Sequence, residues 1–404
     1  MDTGDTAWML MASALVLVMT PGLAFFYGGL VRGRNIINTM MFSFMAMAVV
    51  SVVWVLWGYS LAFGEGNNLI GDLSLVGLKG IGKDTLSGTI PTLLFVIFQM
   101  MFAIITPALI TGSMVERFKF NTYIIFLVLW ITFVYAPIAH WVWAPTGWLF
   151  KMGALDFAGG TVVHINAAIA ALVAAIVLGK RRNPGAEPSN VPYVMLGAGL
   201  LWFGWFGFNG GSGVAASGQD VNAFLVTNTA AATAGLVWGL ISQLHHGRMS
   251  AVGVATGAVA GLVAITPASG YVGVMGALAI GAVTGLLCYV AVLLRPKTKI
   301  DDALDVFAVH GMGGIWGALA TGIFATAAIG PTSGLLEGNP GQMTIQAIGV
   351  LATLAWSGIV TFIILKVLAL VPGLGLRPSA KDEDQGMDVA AHGERAEVKD
   401  GADV

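Results

Sequence analysis

Residues 156–172, DFAGGTVVHINAAIAAL, decide the reading of this chain. An acidic, glycine-rich entry runs into an apolar helix that carries one histidine, His164. An ionisable side chain inside a membrane-length apolar run is costly and faces a cavity or a partner, which marks a functional site by default. A second copy lies far downstream at residues 302–319, DALDVFAVHGMGGIWGAL. In both, an Asp stands eight residues before the His, a Val immediately before it and an Ile five residues after it. Two such helices predict paired imidazoles, His164 and His310, in one buried lumen.

The surrounding chain is 57% hydrophobic and 10% charged, where a soluble domain would carry roughly a quarter charged residues. That composition predicts an all-α polytopic membrane protein in a lipid bilayer. The net charge of -2 gives no footing for nucleic-acid binding. A single cysteine, Cys288, excludes an internal disulfide and a cysteine-based metal site. The 55 glycines suit helices that associate in lipid through small residues. The N-terminus, MDTGDTAW, lacks the positive region of a secretory signal, so its apolar stretch reads as a retained span.

Apolar runs of about 18 to 25 residues, punctuated by charge, predict eleven transmembrane helices. They fall near 7–31, 39–63, 90–114, 121–143, 161–179, 192–210, 222–244, 250–268, 271–294, 306–328 and 342–368. Loops after odd-numbered spans hold Arg32 and Arg34, Arg117 and Lys119, Lys180 to Arg182, Arg248, and Arg295, Lys297 and Lys299. Only Lys79, Lys83 and Lys151 fall on the other side. Positive-inside bias therefore places the N-terminus outside and the C-terminus in the cytoplasm.

Phe-Tyr-Gly-Gly at 26–29 answers Phe-Asn-Gly-Gly at 208–211, and Ile-Thr-Pro-Ala occurs at both 105–108 and 265–268. With the histidine helices, these pair spans 1/6, 3/8 and 5/10. One tetrapeptide match in apolar sequence arises by chance; three in the same order do not. Two five-span halves, about 7–179 and 192–328, follow, inverted because each has an odd number of spans, with an extra helix at 342–368. Such transporters place their site at the repeat interface. Residues 1–368 then form the membrane domain and 369–404 a charged, apolar-poor cytoplasmic tail, read either as solubilising or as partner-binding.

Among the other histidines, His245, His246 and His392 read as solvated and His140, beside Trp141 and Trp143, as an interfacial residue. A metal needs three or four ligands, and Asp156 is the sole acid near His164 in sequence, so no metal and no cofactor is expected. Two hydrogen-bonded neutral imidazoles in a dry tube offer a donor and an acceptor, which suits a small neutral polar molecule. Phe98 and Phe102 share a helical face, Trp143 ends span 4, and Trp205, Phe208 and Ser212 follow along span 6. Aromatics with one hydroxyl at the outer ends of spans 3, 4 and 6 would cage a small cation. Asp156 either caps the following helix or biases the vestibule toward cations.

DFAGGTVVHINAA, WFGWFGFNGGS, ITPASGYVG and DVFAVHGMGG together resemble the ammonium transporter family (Amt/Mep, with the Rhesus proteins as distant relatives), from about Ala7 to His392. The resemblance implies a multi-pass cell-membrane protein that is no enzyme, a homotrimer with one path per protomer. It also implies an external ammonium site of Phe98, Phe102, Trp143 and Ser212, backed by Asp156. Phe102 and Phe208 would form a gate, Trp205 would line the path, and His164 and His310 would be the pore pair. The substrate would be ammonium or ammonia, with methylammonium as analogue. The stretch after Trp143, APTGWLFKMGALD, is one residue longer than the common family pattern, and small residues in WFGFNGGSG differ mildly. The tail resembles the family's cytoplasmic tail, which implies docking of a PII-type regulatory protein. A tail-signalling ammonium sensor, a Rhesus-like gas channel and a bis-His haem enzyme are the rival readings.

Overall fold

In lipid every backbone N–H and C=O must be paired within the protein, so apolar runs of this length fold as helices. The computed structural model describes residues 1–185 and 187–396. Among the described residues, ten helices are long and apolar enough to cross a membrane. In chain order they are α1 (Thr3–Leu30), α2 (Gly33–Phe63), α3 (Thr92–Met114) and α4, which begins at Phe120 and ends its main run at Trp143. Then come α5 (Gly160–Leu178), α6 (Val191–Gly210) and α7 (Gly218–His246). After the shorter α8 (Ala251–Ile265) follow α9 (Val274–Lys297), α10 (Phe307–Phe324) and α11 (Gly341–Leu370). A small hairpin pairs Leu86–Ser87 with Ile90–Pro91.

The expected span at 250–268 is therefore cut short. Its 15 residues cover about 22 Å, less than the roughly 30 Å hydrocarbon core. The repeated Ile-Thr-Pro-Ala string explains why. In α3, Pro107 sits inside a helix that continues through Ala, Leu and Ile. After Pro267 come Ser269 and Gly270, poor helix formers, and the ring of Phe157 presses on Gly270.

Small residues set the central crossing. A Cβ on Gly197 of α6 would lie 2.2 Å from the backbone nitrogen of Phe26 in α1, so glycine alone permits this approach. The contact pattern of one half recurs in the other: α1 meets α2 and α3 as α6 meets α7 and α8, and α3 meets α5 as α8 meets α10.

One end of the bundle gathers the basic loops around a buried ionic cluster. Arg181 forks onto Asp301, with both bonds at 2.9 Å, and reaches Glu116 at 3.1 Å. Arg117 donates to Asp301 O at 2.6 Å, and Arg32 lies 3.6 Å from Glu116. The other end joins the N-terminus to even-numbered connections. Asp2 N–H donates to Thr89 O, and Asp5 accepts from Thr89 and from Ala216 N–H.

The described tail does not stand off in solvent; it lies against the basic end. Arg377 donates to Leu178 O and Lys180 O at the end of α5 and to Glu383. Glu383 and Asp384 take Arg182, Asp388 accepts Asn38 N–H at 2.8 Å, and His392 reaches Asn38 Oδ1 at 3.1 Å. Glu397 and Lys399 lie outside the described residues. His140 is no belt residue either: it is buried, its ring nitrogens at 2.9 Å from Ala62 O and 2.7 Å from Asn67 O.

Candidate functional site

Both histidine helices begin in π-helical turns, Gly160–Ile165 in α5 and Phe307–Gly311 in α10. Such turns carry one extra residue and are frequent at functional sites. Each opens beside an aspartate. The Asp156 carboxylate accepts from Gly159, Gly160, Thr161 and Val162 N–H at 2.5–3.2 Å and from the Thr161 hydroxyl. Those N–H groups have no partner within the helix, so the carboxylate acts as its cap. Gly159 stands at φ 112°, a conformation that favours glycine, with Trp143 close by. Asp302 caps α10 through Phe307 N–H at 2.8 Å, and burial pushes its carboxyl up to about 6. Its role is not stated by the motif alone, although the shared eight-residue spacing to the His marks it.

His164 and His310 are 1% and 4% exposed, and their Nδ1 atoms lie 3.2 Å apart. One Nδ1–H donates and the other Nδ1 accepts, so the two neutral rings hold opposite tautomers. Trp205 stacks on His164, centroids 5.3 Å apart and planes 18° apart, and its indole N–H donates to Thr266 Oγ1 at 2.8 Å. Thr266, which anchors this tryptophan, carries no sequence signal beyond its place in the Ile-Thr-Pro-Ala repeat. A narrow cavity surrounds the pair, walled by Leu23, Ile105, Leu109, Val163, Leu201 and Val259 besides Trp205 and Phe208. Beyond His310 it meets an inner cavity of about 380 Å³ bordered by Ser242, His246, Ser250 and Asp305. His245 and His246 are exposed, as expected; His246 borders this cavity and His245 also bonds Tyr289 at 2.7 Å.

On the other side of His164 the aromatics converge. Phe102 and Phe208 lie 4.3 Å apart, and Phe208 is 6.0 Å from His164. Phe98 packs at 4.9 Å on Phe102, and Trp143 meets Phe102 edge to face at 5.8 Å. Trp143 Nε1 donates to Asp156 O at 2.9 Å. Ser212 follows Gly211, which abuts Phe98; its hydroxyl donates to Phe208 O at 2.7 Å and keeps its oxygen lone pairs free to accept. Phe98, Trp143 and Phe208 thus gather on Phe102, and Phe208 and Trp205 lead on to His164 and His310. Among the described residues, no three His, Cys, Asp or Glu side chains converge as a metal site.

A bundle of membrane-length helices around an apolar passage that contains two histidines defines a multi-pass membrane protein of the transporter class. The model of the Ammonium Transporter Family matches residues 7–397. An ammonium transporter of Aquifex aeolicus (strain VF5) is 51% identical, over 98% of this chain and 94% of its own. One of Bacillus subtilis (strain 168) is 47% identical, over 98% and 99%. The crystal structure of Saccharomyces cerevisiae Mep2 has a TM-score of 0.89 at 40% identity, covering 95% of this chain and 89% of that one. A structure named Sensor Amt Protein has a TM-score of 0.87 at 33% identity, covering 96% and 98%. The chain belongs to the ammonium transporter family, and it is a transporter and not an enzyme.

Proposed function

We propose that the protein recruits ammonium at Phe98, Phe102, Trp143 and Ser212, strips its hydration shell and proton, and conducts ammonia past His164 and His310. The observation that carries this reading is the imidazole pair at 3.2 Å inside an apolar cavity, behind the Phe102–Phe208 contact. Three aromatic faces and one acceptor suit a small cation, each contact contributing about 0.5–2 kcal/mol. Potassium matches ammonium in size and charge but cannot donate a hydrogen bond or lose a proton, so the apolar stretch rejects it. Asp156 supports the chamber through its cap on α5 and through Trp143. Charge movement accompanies transport if the proton crosses by a separate route.

The topology belongs to the same proposal: eleven crossings, with α8 completed by the turn after Ile265, in two inverted halves plus α11. The basic end is cytoplasmic, because Lys and Arg gather there. Three copies assemble as a homotrimer, and a PII-type protein docks at the cytoplasmic face beside the tail. The decisive experiment is methylammonium uptake with simultaneous current in vesicles holding the purified protein. Saturable uptake that excludes potassium is expected; uptake no faster than in empty vesicles sinks the reading.

A further inference from the structure

One buried side-chain amide away from the lumen uses its whole hydrogen-bonding capacity. Gln346 of α11 is 3% exposed. Its Oε1 accepts from Leu155 N–H at 2.8 Å and from Gln342 Nε2 at 3.2 Å. Its Nε2 donates to Leu155 O at 2.8 Å and to Ala318 O at 2.9 Å. Pairing with both the N–H and the C=O of one residue imitates the exchange between two strands. Gln342 adds a bond to Gly153 O at 3.0 Å.

The segment so held, 153–159, is neither helix nor strand, so its buried backbone groups must find partners elsewhere. The next residue after Leu155 is Asp156, whose carbonyl takes the Trp143 indole and whose carboxylate caps α5. A chain of direct bonds therefore runs from α11 through Leu155 and Asp156 to Trp143. No residue of α11 lines the cavity around the histidines. Ala318, the amide's other acceptor, lies two turns beyond His310 in α10.

We infer that Gln346 is a positioning residue for the outer chamber. It holds the 153–156 segment so that Trp143 stands edge to face with Phe102 at the depth where a small hydrogen-bonding cation is recognised. The inference rests on the proposed role of that chamber. Gln346 touches no substrate; it acts through Trp143, whereas Ser357 of α11, which donates to Asn166 O, braces α5 below the chamber.

The test is a double-mutant cycle read as methylammonium uptake per folded trimer. Gln346→Met keeps length and removes both donor and acceptor; it should raise the half-saturation concentration roughly threefold or more, with little change in maximal rate. Combined with Trp143→Leu, it should add nothing to the effect of Trp143→Leu alone. A merely structural role would lower folded protein or maximal rate equally in both backgrounds. Should Gln346→Met fail to assemble, Gln342→Met, which frees Gly153 O and removes one of the two bonds to Gln346 Oε1 but leaves both bonds to Leu155, runs the same cycle with a smaller shift in the same direction. An unchanged half-saturation for Gln346→Met in the otherwise native protein, or effects that multiply in the double variant, overturns the inference. If Trp143→Leu alone changes nothing, the chamber itself is misassigned and the inference falls with it; if it raises half-saturation while Gln346→Met does not, the chamber stands and only the inference falls.

Discussion

Nδ1 of His310 lies 3.2 Å from Nδ1 of His164, across 146 residues of chain, with the ring planes 23° apart. Neither ring can reorient without breaking that bond. His164→Ala or His310→Ala should therefore abolish conduction or its selectivity while the protein still inserts and assembles. Vesicle uptake beside potassium flux checks it, and normal ammonium transport with potassium still excluded in both variants defeats the pore-pair assignment.

Trp143→Leu and Ser212→Ala remove a cation–π face and a hydrogen-bond acceptor from a half-buried rim. A contact of about 0.5–2 kcal/mol corresponds to roughly a two- to thirty-fold rise in half-saturation concentration. Trimer stability in detergent should hardly move. Unaltered concentration dependence in both variants removes recruitment from the mechanism.

Asp156 is a stringent position because its carboxylate answers four backbone N–H groups and one hydroxyl. Charge-assisted bonds contribute about 1.5–3 kcal/mol each, so Asp156→Ala should lose transport and assembly together. Asp156→Asn keeps one acceptor oxygen and should retain the fold with impaired transport. Full transport by Asp156→Ala would refute the cap.

The docked tail carries a pH dependence of definite sign. Burial holds the His392 imidazole below its ordinary value, against the opposing pull of Asp388 and Glu394. A depressed value means that docking favours the neutral ring: the contribution is present above about 6.5 and is lost as pH falls through the depressed value. Burial raises Asp388, which acts in the opposite sense, at the acid end of the range. Protection from hydrogen exchange over residues 380–393, taken relative to the intrinsic rate at each pH, should fall between pH 7.5 and pH 6, and His392→Gln, which keeps a donor to Asn38, should flatten that change. An identical pH response in His392→Gln refutes the assignment.

Deletion from Ser379 onward removes the ties of Glu383, Asp384, Asp388 and His392 but no membrane helix. A membrane-inserted trimer is expected, with regulation as the altered property. The Arg182–Asp384 pair is about half exposed, so the contact should weaken with salt. Pull-down of a cognate PII-type protein by full-length and truncated chains, across nucleotide and 2-oxoglutarate conditions, tests the partner. No binding to either chain removes the PII proposal and leaves transport untouched.

What sequence alone settled here is what acts over short range. Apolar runs and their charged breaks located the helices because the bilayer admits no unpaired backbone, and the Asp-to-His spacing singled out His164 and His310 because a cap and its helix are local. Tertiary structure decided what depends on how helices cross. The Gly197–Phe26 approach sets α6 against α1, and the line from Trp143 through Phe208 to His310 draws on α3, α4, α5, α6 and α10 together. Gln346, 191 residues from Leu155, has no periodic or motif signal, since a glutamine in an apolar helix reads the same wherever it points. The burial of His140 and the docking of the tail were hidden for the same reason: each hangs on partners distant in sequence, and only the packed chain brings those partners within hydrogen-bond reach.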